Sequence, residues 1–325
     1  MASVDADSLL AGDEAAAATL RTSLRTHGAA LVRLGSRDAA RLARLLTLSL
    51  PFFQRSPHKA SASRDVCIPS VGPAVVRLGW RAPSHAKELL RCFRGHPLPL
   101  RRAEDAPLLA AARLCEASYH ALLTRCTCAA LGPSVTERRL RRLHGHNCAF
   151  DVFYYRPETA GSAVACDPHI DRGMLHMIFA PVQGLQLWDG HADGGAGLWR
   201  APGELWPSYE PWGHVVMLVN AELEAISTSL ASTVAPSDGP ESSLGGRGAA
   251  EGSPEEQGVR LKKKRRSSAE LPRQSDRAES GGRYRACVHR VVIGATEPRV
   301  SVSYEIRSAF AVDVVKELGQ DASRR

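Results

Sequence analysis

At Gly132-Pro133 the sequence stops reading as helix and begins reading as sheet, a change that any fold open to this chain must accommodate. Beyond that point short runs of strand length are expected at 149–155, 163–170, 174–180, 184–189, 214–219, 284–293 and 299–306, punctuated by Gly, Pro and Asp. Many short strands spaced in this way are the pattern of a double-sheet jelly roll. Ahead of them, 6–27, 37–50 and 106–131 carry apolar positions near helical spacing. Ser36 is placed to cap the second helix. On the third, Leu108, Leu109, Ala112, Leu114, Tyr119, Leu122 and Leu123 form an expected buried stripe. The fold class expected is mainly β with flanking α-helices around a double-stranded β-helix (jelly-roll) core.

Within the strand region stands His169-x-Asp171, and 120 positions later His289, followed by Arg299-x-Ser301. In an extended strand, alternation puts His169 and Asp171 on one face with Ile170 behind them. With His289 on a neighbouring strand the set becomes a two-His, one-carboxylate triad, which leaves three positions of an octahedral Fe(II) open. A His-x-Asp pair arises easily by chance among twelve histidines, so its surroundings carry the weight.

Those surroundings are Asp167 to Phe179 and Val182 to Trp188 around the pair, and Gly282 to Val292 and Pro298 to Tyr304 around the distal histidine. Together they resemble the Fe(II)/2-oxoglutarate-dependent dioxygenases, in their isopenicillin N synthase-like branch. Gly28 to Gly35, the phrase Phe52-Phe53 with Pro57 and Lys59 behind it, and Ala86 to Gly95 extend the resemblance into the first half of the chain, with weaker motifs. It breaks off over 231–280. The resemblance implies iron held by His169, Asp171 and His289, with 2-oxoglutarate and dioxygen as co-substrates. Succinate and CO2 would be released as a prime substrate is oxidised.

Arg299 suits the distal carboxylate of 2-oxoglutarate, because a planar guanidinium makes paired charge-assisted hydrogen bonds that lysine cannot reproduce. Ser301, two residues on, adds a donor on the same strand face. Tyr155, or else Tyr154, stands at the place of the family's Asn-Tyr-Tyr-Pro phrase and would donate its hydroxyl to the co-substrate; here the asparagine is replaced by Phe153. His144-Gly145-His146 is a competing pair left outside the metal set. His176 either lines the substrate cavity or is a satisfied half-buried histidine, and His214 begins a core strand. No catalytic group beyond the metal site is expected.

The expected organisation is a helical and mixed region over 1–140 packing on the core, a catalytic jelly roll over 141–230 and 281–310, and an insertion over 231–280. The insertion is rich in Ser, Gly, Pro, Glu and Arg and too poor in large apolar residues to offset the entropy of ordering, so disorder is expected there. Its run Arg260 to Arg266 reads either as a solvated loop or as a contact for an import receptor.

The formal net charge of +8 is spread along the chain and aromatics are only 6%, which argues against a nucleic-acid partner. No apolar run reaches the ~18 residues of a membrane span. Acidic residues in the first twenty argue against a signal peptide. Eight cysteines without a recurring spacing are read as reduced. A cytoplasmic monomer is expected, with nuclear location if the basic run is an import signal.

Three function classes follow: a small-molecule oxygenase that hydroxylates, desaturates or dealkylates its substrate; a protein or nucleic-acid oxygenase on the same scaffold; and a non-catalytic iron or 2-oxoglutarate sensor. Intact ligands favour an enzyme, and the specificity-bearing loops do not name its substrate. Replacing 231–280 with a short Gly/Ser linker is predicted to leave folding intact, since closure cost grows only logarithmically with loop length. Circular dichroism melting of the shortened protein checks it, and loss of the folded transition would mean that the break in the barrel has been misplaced.

Overall fold

The computed structural model describes residues 3–55, 58–67, 75–133, 135–144, 148–157, 164–190, 196–234, 283–294 and 297–307. The basic run 260–266 and His146 lie outside them.

The first expected helix is two. α1 (Ala6–Ala11) ends on Gly12 at φ 86°, and Asp13 then accepts from the amides of Ala15 and Ala16 to start α2 (Glu14–His27). α3 (Ser36–Gln54) takes Gly35 as its N-cap without a side-chain bond, so Ser36 is its first helical residue and not its cap. Its end runs past the expected boundary because Pro51 costs only one amide in the last turns. α4 (Ala106–Leu131) matches expectation and stops at Gly132, φ 97°. Leu114 is 52% exposed and leaves the expected stripe. The buried register is carried by Leu108, Cys115, Tyr119, Leu122 and Cys126, and a helical position next to one of these turns about 100° away.

Two sheets face each other. The large one runs β1 (Val4–Asp5), β2 (Ala29–Arg33), β11 (His214–Val219), β8 (Leu175–Phe179), β13 (Arg299–Ile306), β6 (Cys148–Tyr155), β5 (Lys87–Phe93), β4 (Val75–Ser84) and β3 (Ser63–Cys67), in that spatial order. The small one runs β10 (Leu198–Arg200), β9 (Leu185–Asp189), β12 (His289–Val292) and β7 (Val164–His169). This is a mainly β jelly roll with helices on its flank. The N-terminal region is not a separate layer: β1 and β2 extend one edge of the large sheet and β3 to β5 the other.

The run expected as strand over 284–293 pairs only from His289. Before that point its groups are spent elsewhere. The Tyr284 amide donates to Ser227 Oγ, its hydroxyl donates to Ala130 O at 2.7 Å, and the Cys287 amide donates to Val219 O. α5 (Ala221–Val234) carries helix four residues into the segment expected to be an insertion.

β13 shows why the cavity lies where it does. Its eight residues are all buried, yet they alternate in polarity. Val300, Val302, Tyr304 and Ile306 join the main core, where the Tyr304 hydroxyl meets His120 Nδ1 at 3.0 Å and donates to Glu116 of α4. Arg299, Ser301, Ser303 and Glu305 face the space between the sheets. β6 repeats the pattern: Phe150, Val152 and Tyr154 face the helices, and Asp151, Phe153 and Tyr155 face inward. A sheet whose inner face is polar cannot close on itself as core, so it encloses a site.

On β5, Glu88 points away from that space and is fully buried. It accepts from Lys59 Nζ at 2.7 Å, from Trp80 Nε1 at 2.6 Å and from the Arg156 guanidinium. Burial would raise its pKa, but these three donors outweigh it and hold the carboxyl below its ordinary value. Glu88→Ala leaves the nearly buried Lys59 unpaired and should cost about 2–4 kcal/mol in urea unfolding. Because the folded pKa is depressed, this stabilisation is present above the unfolded pKa of about 4.3 and is lost as pH falls through the folded value. A Glu88→Ala protein with unchanged stability at neutral pH would remove Glu88 as a clamp.

Candidate active site

The pairing of β12 with β7 sets His289 directly opposite His169. Their rings lie 4.3 Å apart between centroids. On each imidazole Nδ1 is turned to a backbone carbonyl, Asp167 O at 2.8 Å and Cys287 O at 3.3 Å, which leaves both Nε2 atoms turned inward. Asp171 completes the group: Oδ1 is 3.7 Å from His169 Nε2, and Oδ2 is 3.3 Å from His289 Nε2. The three ligand atoms fall within 4.8 Å of one another, close enough to hold one metal ion.

Asp171 does not come from the strand, as alternation had implied. β7 ends at His169, and Asp171 sits in the turn that follows. That turn is fastened by backbone bonds, with the Ala221 amide donating to Asp171 O and the Glu222 amide to Gly173 O. Glu305 Oε1 accepts from the Gly173 amide at 2.7 Å and from Asn220 Nδ2 at 3.2 Å. Gly173 can only be glycine, since a Cβ there would lie 2.3 Å from Ile306 O.

The electrostatics fit a cation. Asp171 Oδ2 is buried and accepts no hydrogen bond; His176 Nδ1 approaches it to 2.5 Å without hydrogen-bond geometry. Burial alone would raise the Asp171 pKa, but His176 and His289 hold it well below the ordinary carboxylate range. Against its burial, His169 is lifted to about 9 by the Cys166 sulfur and Asp171, whereas burial pushes His289 down. A buried carboxylate with an unsatisfied oxygen, beside two imidazoles already oriented by carbonyls, is the donor set of a divalent first-row metal.

Arg299 lies in the same cavity, 2% exposed. Its Nη1 donates to Ser301 Oγ at 3.2 Å, its Nε has no hydrogen-bond partner, and its guanidinium carbon sits 5.0 Å from the centre of the Tyr155 ring. Burial lowers its pKa, and no carboxylate of the described residues pairs with it. Gly184, at φ 130°, makes the room, because a Cβ there would press on Val292 O and on the Arg299 side chain. Tyr155 faces Arg299 across the β6–β13 ladder, whereas Tyr154 stacks on Phe53 in the core, 5.2 Å between rings. The two tyrosines, left open by the sequence, are thus separated by strand alternation.

The cavity encloses about 240 Å³ and contains groups that sequence reasoning passed over. The Arg91–Asp151 pair closes one wall with two bonds, 2.7 and 2.5 Å. Lys87, Arg81 and Cys166 line another. His176 lines the cavity and touches Asp171, so it is more than a satisfied core histidine. His214 is buried in β11, as expected. None of the eight cysteines is in a disulfide, and six are buried. Among the described residues no helix is long and apolar enough to cross a membrane.

No family model and no curated protein matches this sequence. Solved structures match its fold. A full-length Neurospora crassa protein in complex with alpha-KG and thymine is 14% identical at a TM-score of 0.57, over 99% of this chain and 96% of that one. The dioxygenase for auxin oxidation 1 from Arabidopsis thaliana, in its 2-oxoglutarate binary complex, is 16% identical at 0.56, over 95% and 92%. JOX2 in complex with 2OG, Fe and JA is 13% identical at 0.56, over 95% and 75%. The chain shares the fold of these proteins along nearly its whole length.

The arrangement predicts one divalent-metal site per chain, with Asp171→Ala weakening Mn(II) binding by more than about 100-fold in calorimetry while the melting transition is kept. Since a metal must displace the His169 proton, affinity should rise about tenfold per pH unit up to about 9. Equal affinity of wild type and Asp171→Ala would take Asp171 out of the metal set.

Proposed function

We propose that this chain is an Fe(II)- and 2-oxoglutarate-dependent oxygenase acting on a small organic molecule. The observation that carries the reading is the presence, in one cavity, of a two-His, one-carboxylate cluster and a buried arginine with which no carboxylate of the described residues pairs. Either feature alone would be common, but an unpaired buried guanidinium is costly unless a ligand supplies its counter-charge. The fold relatives crystallised with 2-oxoglutarate agree with that reading.

His169, Asp171 and His289 would hold the iron, and when bound it supplies the redox chemistry that couples decarboxylation of 2-oxoglutarate to oxidation of the prime substrate. The remaining work belongs to the protein. Arg299 and Ser301 receive the distal carboxylate of 2-oxoglutarate, and Tyr155 bounds that end of the cavity. Glu305 and Gly173 hold the turn that aims Asp171. A cavity of about 240 Å³ between two sheets admits a metabolite-sized molecule more readily than a folded macromolecule.

Anaerobic addition of Fe(II) and 2-oxoglutarate should give a weak visible charge-transfer band, and air should then give succinate. Arg299→Leu removes the counter-charge of the bound dicarboxylate and should cost on the order of 3–5 kcal/mol of 2-oxoglutarate binding, with metal affinity nearly unchanged. A variant with normal 2-oxoglutarate affinity would refute this use of Arg299.

A further inference from the structure

Once the metal and 2-oxoglutarate are assigned their residues, positive charge is left over. Among the described residues, five cationic side chains and three carboxylates line the cavity. Arg91 is neutralised by Asp151 and Arg307 by Glu305, and Asp171 and Arg299 belong to the metal and co-substrate ends. A divalent metal and a dicarboxylate cancel one another, so they leave the balance unchanged. The surplus sits on Arg81 and Lys87, which flank the β4–β5 turn on one wall.

Neither has a carboxylate partner among the described residues. The Lys87 ammonium lies 4.5 Å from the centre of the Phe153 ring, 5.5 Å from that of Tyr155 and 3.7 Å from Cys166 Sγ. Register explains the position: Lys87 pairs with Tyr155 across β5–β6, and Arg81 with Leu89 across β4–β5, so both cations share the inward face with Leu89 and Phe153. Lysine usually extends its ammonium into water. Here it is held largely buried over aromatic faces, where its charge is poorly solvated and a ligand anion would gain most.

We propose that the prime substrate is a carboxylate-bearing small molecule, whose anionic group is received by Lys87 with Arg81 and whose apolar body rests on Leu89, Phe153 and Ile178. This rests on the preceding reading, because it needs Arg299 to be occupied by the co-substrate. The apolar shelf lies on the large sheet and the metal cluster's imidazoles on the small one, so a molecule anchored at Lys87 spans the gap between them.

The test uses the full chain loaded with Zn(II) and saturating 2-oxoglutarate, so that nothing turns over. Matched pairs of acid and primary amide (benzoate and benzamide, phenylacetate and phenylacetamide, hexanoate and hexanamide) are titrated by ligand-observed NMR, with phenyl phosphate as a second anion. The acids should bind at least tenfold tighter than their amides. Lys87→Met should abolish that preference, Lys87→Arg should keep most of it, and Arg81→Gln should reduce it by a smaller factor. Phenyl phosphate binding better than every carboxylate would replace the carboxylate by a phosphate and overturn the class named here. Acids no better than amides in the wild type, including no binding of either, or a preference that survives Lys87→Met, would overturn the site. So would a tenfold loss of 2-oxoglutarate affinity in Lys87→Met, which would assign the lysine to the co-substrate. A wild type that takes up no 2-oxoglutarate overturns the preceding reading and this one with it, whereas normal uptake without charge preference overturns this one alone.

Discussion

Everything in the cavity depends on the register of β12 against β7. Side chains alternate along a strand, so a slip of one residue would send His289 behind the sheet and bring Arg290 forward. The register is held from both sides. β9 pairs the other edge of β12, with His289 opposite Leu187, and the approach to the strand is tied down by Tyr284 and Cys287 before pairing begins. A strand of four residues has few ladder bonds of its own, so these flanking ties do much of the positioning.

The large sheet solves a related problem. A barrel interior lined by Arg299, Ser301, Ser303, Glu305 and Asp151 would be unstable if water and ligands were excluded, because each buried polar group needs a partner. Some are paired internally, as Arg91 is with Asp151 and Glu305 is with the Gly173 amide. Arg299 Nε and Asp171 Oδ2 are left without a hydrogen-bond partner, and they belong to the groups assigned to ligands. Stability thus comes from the opposite face, where Val302, Tyr304, Phe150 and Val152 pack on α3 and α4. Core and site are back to back on the same strands.

Much of this was legible in the residues. The strands from Cys148 to Phe179 lie within a residue or two of expectation, because Gly, Pro and Asp punctuate short runs of strand length. β4 and β5 escaped notice, because Arg77, Arg81, Lys87, Glu88 and Arg91 break the apolar pattern. Their charges are satisfied by Asp65, Asp151 and Lys59, partners far off in sequence, or are turned into the cavity. Lys87 and the Arg91–Asp151 pair were missed for the same reason. Ser36 failed as a cap because propensity names good caps without showing which residue begins the helix.

Local chemistry, then, was determined by the sequence alone: which side chains can bind a metal or a carboxylate, where helices give way to strands, and which residues alternate with them. Those properties depend on residue type and on separations of a few positions, the range over which backbone geometry is regular. Tertiary structure decided which of the candidates meet. It placed Asp171 in a turn beyond its strand, faced Tyr155 into the cavity and Tyr154 into the core, set His176 against Asp171 and left Lys87 without a carboxylate partner among the described residues. Each of these is a contact or an absence of contact between residues distant along the chain, and only strand pairing and packing across the two sheets fix such distances.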